Sequence, residues 1–129
     1  MHKTTAIIRD ERATWDEMAI VKKYEDFLFY LYPKIQNCPR KHGVLRDVVL
    51  THILGVVPAL HVAGRSNQIS RLRDVDALLA TIRFDLRFLV EQLTRDTKPA
   101  LTPHQSAEAL KRLNEVGKML GAWMGKIRG

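Results

Sequence analysis

The chain is poor in the residues from which most site chemistries are built. Of its 129 residues one is cysteine, Cys38, so no intramolecular disulfide can close and CxxC and zinc-finger spacings are absent. GxGxxG and Walker loops are missing, as is the G-x-S-x-G turn that presents a serine nucleophile. No glutamate has a histidine three residues later, which excludes the ligand pairs of a di-iron bundle. His52 and His61 are nine residues apart, about 180° round a helix, and cannot share a metal. Glu25 and Asp26 are adjacent and splay apart on a helix, and Asp74 and Asp85 are expected on an outer face. No catalytic residue, metal or other cofactor is therefore expected.

Long apolar runs are lacking too. The least charged stretch, Val48 to Gly64, is interrupted by His52, Pro58 and His61 and falls short of the roughly 20 apolar residues of a membrane span. The opening MHKTTAIIRDER lacks the apolar run of a signal peptide. A cytoplasmic protein without a membrane partner is the expectation. What the chain has is positive charge: 21 Lys and Arg against 14 Asp and Glu, a net +7 and a pI near 9.9. That surplus favours nucleic acid, anionic lipid or an acidic protein as partner. With 46% hydrophobic residues, the length suits one domain with a real core.

The strongest periodicity runs from Ser66 to Thr94. Ile69, Leu72, Val75, Leu79, Ile82, Leu86, Leu89 and Leu93 recur every three or four residues, which places them on one face of a helix. Beside that stripe runs a polar row, Arg73, Asp76, Arg83 and Arg87. Arg87 lies about 40° round from Arg83, so two cations share one edge. Like charges at that spacing cost a few tenths of a kcal/mol. Either Asp76 and solvent absorb the repulsion, or the arginines await an anionic partner.

Three further helices are expected around this one. Residues 1–13 show little periodicity and read as a mobile tail, leaving a bundle domain at 14–129. Thr14 and Glu17 form a capping box that opens the first helix, whose inner face carries Val21, Tyr24, Leu28, Leu31 and Ile35. After the break NCPRKHG, a second helix turns Leu45, Val49, Ile53, Val56 and Leu60 inward. Val48, Val57 and Val62 add apolar surface outside that stripe, which asks for cover on another side. Gly64 is its expected stop. The fourth helix opens on Thr102-Pro103-His104-Gln105, with a capping threonine, Pro at the first helical position and Gln completing the box. It turns Leu110, Leu113, Val116, Leu120, Trp123 and Ile127 inward. Gly117, Gly121 and Gly125 recur along one of its edges, each costing about 1 kcal/mol relative to Ala; close approach of a helix or subunit accounts for such a ridge. Short connections and the lack of any strand pattern give an all-α, up-down-up-down four-helix bundle. Arg40, Lys41 and His42 at a helix N-terminus either point into solvent or, with free backbone N–H groups, converge on a phosphate.

Six strings, YEDFLFYLYP (24–33), CPRKHGVLRD (38–47), VAGRSNQISRL (62–72), RFDLRFL (83–89), LTPHQ (101–105) and VGKMLGAWM (116–124), in this order resemble the accessory variability determinant (Avd) proteins of diversity-generating retroelements. The likeness runs from about Trp15 to Ile127. It implies a four-helix subunit of a barrel-shaped homopentamer with a basic surface. The family binds the element's reverse transcriptase and nucleic acid (RNA, DNA or both), and supports mutagenic copying of a template RNA without catalysing it. By position, Arg83 and Arg87 are then the first candidates for nucleic-acid or polymerase contact. Arg40, Lys41 and His42 come next, followed by Arg65, Arg71 and Arg73. Val48, Val57, Gly117 and Gly121 are candidates for the subunit interface. The alternative is a bundle of the rRNA intervening-sequence type with no reverse transcriptase partner, which a gene neighbourhood without that enzyme would favour.

Overall fold

A computed structural model describes residues 2–94 and 100–128, with side chains from 15 to 90 and from 100 to 127. Among the described residues four helices carry the fold: α1 (His2–Gln36), α2 (Gly43–Ser66), α3 (Ile69–Thr94) and α4 (Pro103–Arg128), with a 3₁₀ turn, Arg40–His42, before α2. Each helix packs on its neighbours in the chain, and α1 closes the ring against α4. The cross-helix pairs fix the directions. Glu17 meets His61 while Tyr24 meets Ile53, and Asp16 meets Lys126 while Lys23 meets Glu115. In both cases the later residue of one helix meets the earlier residue of the other. The bundle is therefore up-down-up-down, as expected.

The α3 stripe is the spine of the core. Leu72, Val75, Leu79, Ile82, Leu86 and Leu89 are buried and Ile69 is half-buried; the Leu93 side chain lies outside the described residues. They meet Val49, Ile53, Val56 and Leu60 of α2 and Leu113, Val116, Leu120 and Trp123 of α4. In α1 the buried face is Ile20, Tyr24, Phe27, Leu31 and Ile35, with Val21 and Leu28 half-buried at its margin. Tyr24, Leu31 and Ile35 are buried as expected, while Ile20 and Phe27 take the inner places expected for Val21 and Leu28. In α4, Ala109 takes the inward place and Leu110 is exposed, since the small side chain fits where α3 and α4 approach.

Helix ends follow local chemistry. The Thr102–Gln105 box forms as expected, with Thr102 N–H donating to Gln105 Oε1 and Gln105 N–H to Thr102 Oγ1, both at 3.1 Å. The end of α2 differs from expectation. Gly64 lies inside the helix and is buried, and Asn67 supplies the stop in the left-handed conformation, φ 52°, with its N–H bonded to Ala63 O at 2.8 Å. Asparagine tolerates that region because its short amide can bond locally. Asn67 also accepts a hydrogen bond from Trp123 Nε1 at 3.3 Å, tying the α2–α3 turn to α4.

Gly64 has a packing role. A Cβ built on it would lie 2.0 Å from Glu17 Oε1 and 2.7 Å from Glu17 Cδ. Glu17 is buried and does not cap a helix start at Thr14, since α1 begins upstream of it. Its Oε2 accepts from His61 Nδ1 at 2.8 Å, and Arg65 Nε lies 3.8 Å from Oε1. A second such pair joins α2 to α3. Asp85 is buried and takes His52 Nδ1 at 2.7 Å, where an outer position was expected for it. The nine-residue spacing of His52 and His61 thus points one ring at each neighbouring helix.

By length and hydropathy alone, the segment Arg40–Ser66 also reaches the dimensions of a membrane span. That corrects the expectation that it falls short: four uncharged turns outweigh the two histidines. Its inner stripe and both His–carboxylate pairs bind it into the bundle, and its outer face carries exposed Val44, Val48, Leu54 and Val62 among the exposed polar residues Asp47, Thr51 and Arg65.

Tyr24 is wholly buried and donates its hydroxyl to Ile53 O across the α1–α2 contact. Tyr24→Phe is expected to cost about 1 kcal/mol, measured by urea denaturation. Burial pushes the Tyr24 phenol well above its usual range. The fold therefore keeps a proton that the unfolded chain releases near pH 10. That contribution is complete below about pH 10 and declines as pH rises further, so the variant should lose stability less steeply in alkali than the parent.

Candidate nucleic-acid interface

Charge is distributed unequally round the bundle. Where α1 meets α4, cations are matched by carboxylates: Lys23 Nζ to Glu115 at 2.6 Å, Lys126 Nζ to Asp16 at 2.9 Å, and Arg112 to Glu108 at 3.0 Å within α4. The hydrogen bond from Lys23 holds Glu115 below the usual carboxylate range, and Arg112 does the same for Glu108. Tyr30 sits between Lys34 and Arg112, whose cationic groups lie 3.8 and 4.0 Å from its ring centre. This face is electrically balanced.

The outer side of α3 is not balanced among the described residues. Arg83 and Arg87 have no carboxylate within ion-pair distance there, and the exposed Asp76 pairs with neither. Asp76 therefore forms no ion pair with either arginine, which leaves solvent or an anionic partner to offset their repulsion. Asp85, between the two arginines in sequence, faces the opposite way and is occupied by His52.

Arg83 is half-buried against α4, and Gly117 makes the room for it: a Cβ there would lie 2.9 Å from Arg83 Nη2. One glycine of the α4 ridge thus serves a contact inside the chain, while Gly121 and Gly125 have open space where a Cβ would stand. Arg83 and Arg87 rim a shallow, mostly apolar groove between α3 and α4, floored by Leu86, Val90, Ala107 and Leu110. The TPHQ box places Pro103 and Ser106 at its end, and Ser106 Oγ donates to Leu86 O at 3.2 Å. The groove therefore offers two guanidinium groups above an apolar floor, a form suited to a phosphodiester or an acidic protein segment.

The other candidates are spread elsewhere. Arg40 and Lys41 are exposed on the 3₁₀ turn, but His42 is buried, and its Nε2 has no hydrogen-bond partner among the described residues. The tight turn directs the third residue of Arg-Lys-His inward, so the three do not present one surface. Arg65 is exposed beside Glu17, and Arg71 pairs with Asp74 at 3.7 Å. Arg73 is exposed and has no carboxylate partner among the described residues. Of the expected interface residues, Val48 is exposed on the outer face of α2, whereas Val57 is half-buried against the core.

Sequence reasoning passed over an aromatic feature here. Phe84 and Phe88 stack on the outside of α3, ring centres 5.8 Å apart and planes inclined by 16°, with Phe84 52% exposed. The signal was the doubled Arg-Phe at 83–84 and 87–88, which repeats at the spacing of one helical turn.

A family model described as bAvd-like matches residues 18–127. No curated protein gives a significant match to the chain.

Proposed function

The chain belongs to the bAvd-like family, and from that membership we propose that it is the non-catalytic accessory subunit of a diversity-generating retroelement. In this role it binds the element's reverse transcriptase and nucleic acid and so supports mutagenic copying of a template RNA in the cytoplasm. The observation that carries the reading is the pair Arg83 and Arg87, which the fold holds at a groove without neutralising them among the described residues. Uncompensated guanidinium groups at a surface are stabilised by an anionic partner, and phosphate contacts of this kind give affinity without sequence preference.

Self-association belongs to the same proposal. Val44, Val48, Leu54 and Val62 are apolar side chains on the outer side of α2 that the bundle leaves uncovered, and Gly121 offers close approach on α4. A homopentamer would cover the α2 face and bring several copies of the arginine groove into one assembly. Light scattering is expected to give about five times the 14.8 kDa of one chain. A Val48→Glu, Val62→Glu variant is expected to fall toward one chain mass with its helix content retained. A parent protein that scatters as a single chain would contradict this part.

The binding itself is tested with a fluorescein-labelled RNA strand at increasing salt. Affinity is expected to fall steeply and linearly on a log–log scale. Binding that is absent at low salt, or indifferent to salt, would contradict the reading.

A further inference from the structure

Phe84 stands outside the hydrophobic core, with Phe88 as its ring partner. The α3 stripe on the opposite side is complete without it, and half of its surface lies open. Phe88, one turn on, holds its ring nearly parallel. Around the helix, Phe84 lies about 60° from Arg87 and Phe88 about 100° from it, so the rings run along one side of the cationic edge. Asp85, the carboxylate next to Phe84 in sequence, is buried and held by His52. Two nearly parallel rings therefore stand on the outer side of Arg87, with Arg83 a further 40° or about that round toward α4.

We infer that Phe84 and Phe88 form a stacking platform for unpaired bases, making the α3 face a site for single-stranded nucleic acid. The inference rests on the nucleic-acid reading above and adds what Arg83 and Arg87 alone do not provide. Phosphates are alike on single strands and duplexes, whereas base faces are open only on single strands. A ring platform captures a base of any identity, because every base has a π-face. A duplex would have to unstack first, at a cost of a few kcal/mol per step. The arginines hold the backbone and the rings select the unpaired form.

The test compares a labelled mixed-sequence single strand with an abasic strand of equal length, which keeps the phosphates and lacks the bases. The parent protein is expected to bind the strand with bases about tenfold more tightly. Phe84→Leu with Phe88→Leu keeps the apolar area, loses the rings, and is expected to remove that advantage while binding the abasic strand as before. Phe84→Tyr with Phe88→Tyr is expected to retain it. Equal affinity of the parent for both strands, or a leucine variant that keeps the preference, overturns the platform and leaves the arginine reading standing. A leucine variant whose assembly mass changes marks the rings as a contact between copies and overturns it also. Failure of both strands to bind overturns the nucleic-acid reading and the platform with it.

Discussion

Arg83→Ala combined with Arg87→Ala is expected to weaken single-strand binding on the order of 100-fold at low salt, each charged hydrogen bond contributing about 1.5–3 kcal/mol. The loss should come with a change of slope. Each phosphate contact to a single strand contributes about −0.7 to the log–log salt dependence, so removing two should make it shallower by about 1.4. Stability should hold within about 0.5 kcal/mol, because Arg87 is exposed and Arg83 only half-buried. Lys126→Ala is the control. It removes a positive charge from the face where Asp16 already neutralises it, and affinity is expected to change by roughly twofold at most. A Lys126 variant as weak as the arginine double variant would mean that net charge, rather than the α3 edge, governs binding.

Gly64→Ala is expected to be the most damaging single methyl in the protein. The new Cβ would fall 2.0 Å from Glu17 Oε1 and 2.8 Å from Glu17 Cβ. Moving the carboxylate alone relieves the first contact, while the second requires α1 and α2 to separate. Overpacking of this kind costs about 1–3 kcal/mol, which in a domain of this size lowers the melting temperature by roughly 4–11 °C. The cause is checked by a double-mutant cycle. With Glu17→Ala in place, only the Cβ contact remains, so Gly64→Ala should cost about 1 kcal/mol less than in the parent. Equal costs in both backgrounds would place the damage elsewhere.

The four helices and the spine of the core were legible because burial repeats with the helical period. Of the eight residues that the Ser66–Thr94 pattern named, six are buried, Ile69 is half-buried and the Leu93 side chain lies outside the described residues, while Thr102–Gln105 named its own hydrogen bonds. What the pattern could not supply were the places where two helices share a polar group. Glu17 reads as a capping residue and Asp85 as an outer one, because periodicity treats a carboxylate as solvent-facing. Only the pairing of α2 with both neighbours brings His61 and His52 to them. Gly64 reads as a stop for the same reason, since the atom it makes room for lies 47 residues away in sequence. The arginine edge was visible from spacing, but its want of a carboxylate among the described residues depends on Asp76 and Asp85 turning elsewhere. The family resemblance carried the functional expectation beyond what residue physics gave, which was a basic helical bundle with an acidic partner.

The central claim is that this bundle joins a reverse transcriptase and a nucleic acid through the α3 edge. Co-expression of the tagged chain with the reverse transcriptase encoded beside it, followed by affinity capture at moderate salt, tests that most directly. The account predicts that the polymerase is retained by the parent chain together with nucleic acid, and that both are lost with Arg83→Ala, Arg87→Ala while the variant remains folded. Capture of the folded parent chain without polymerase would contradict it.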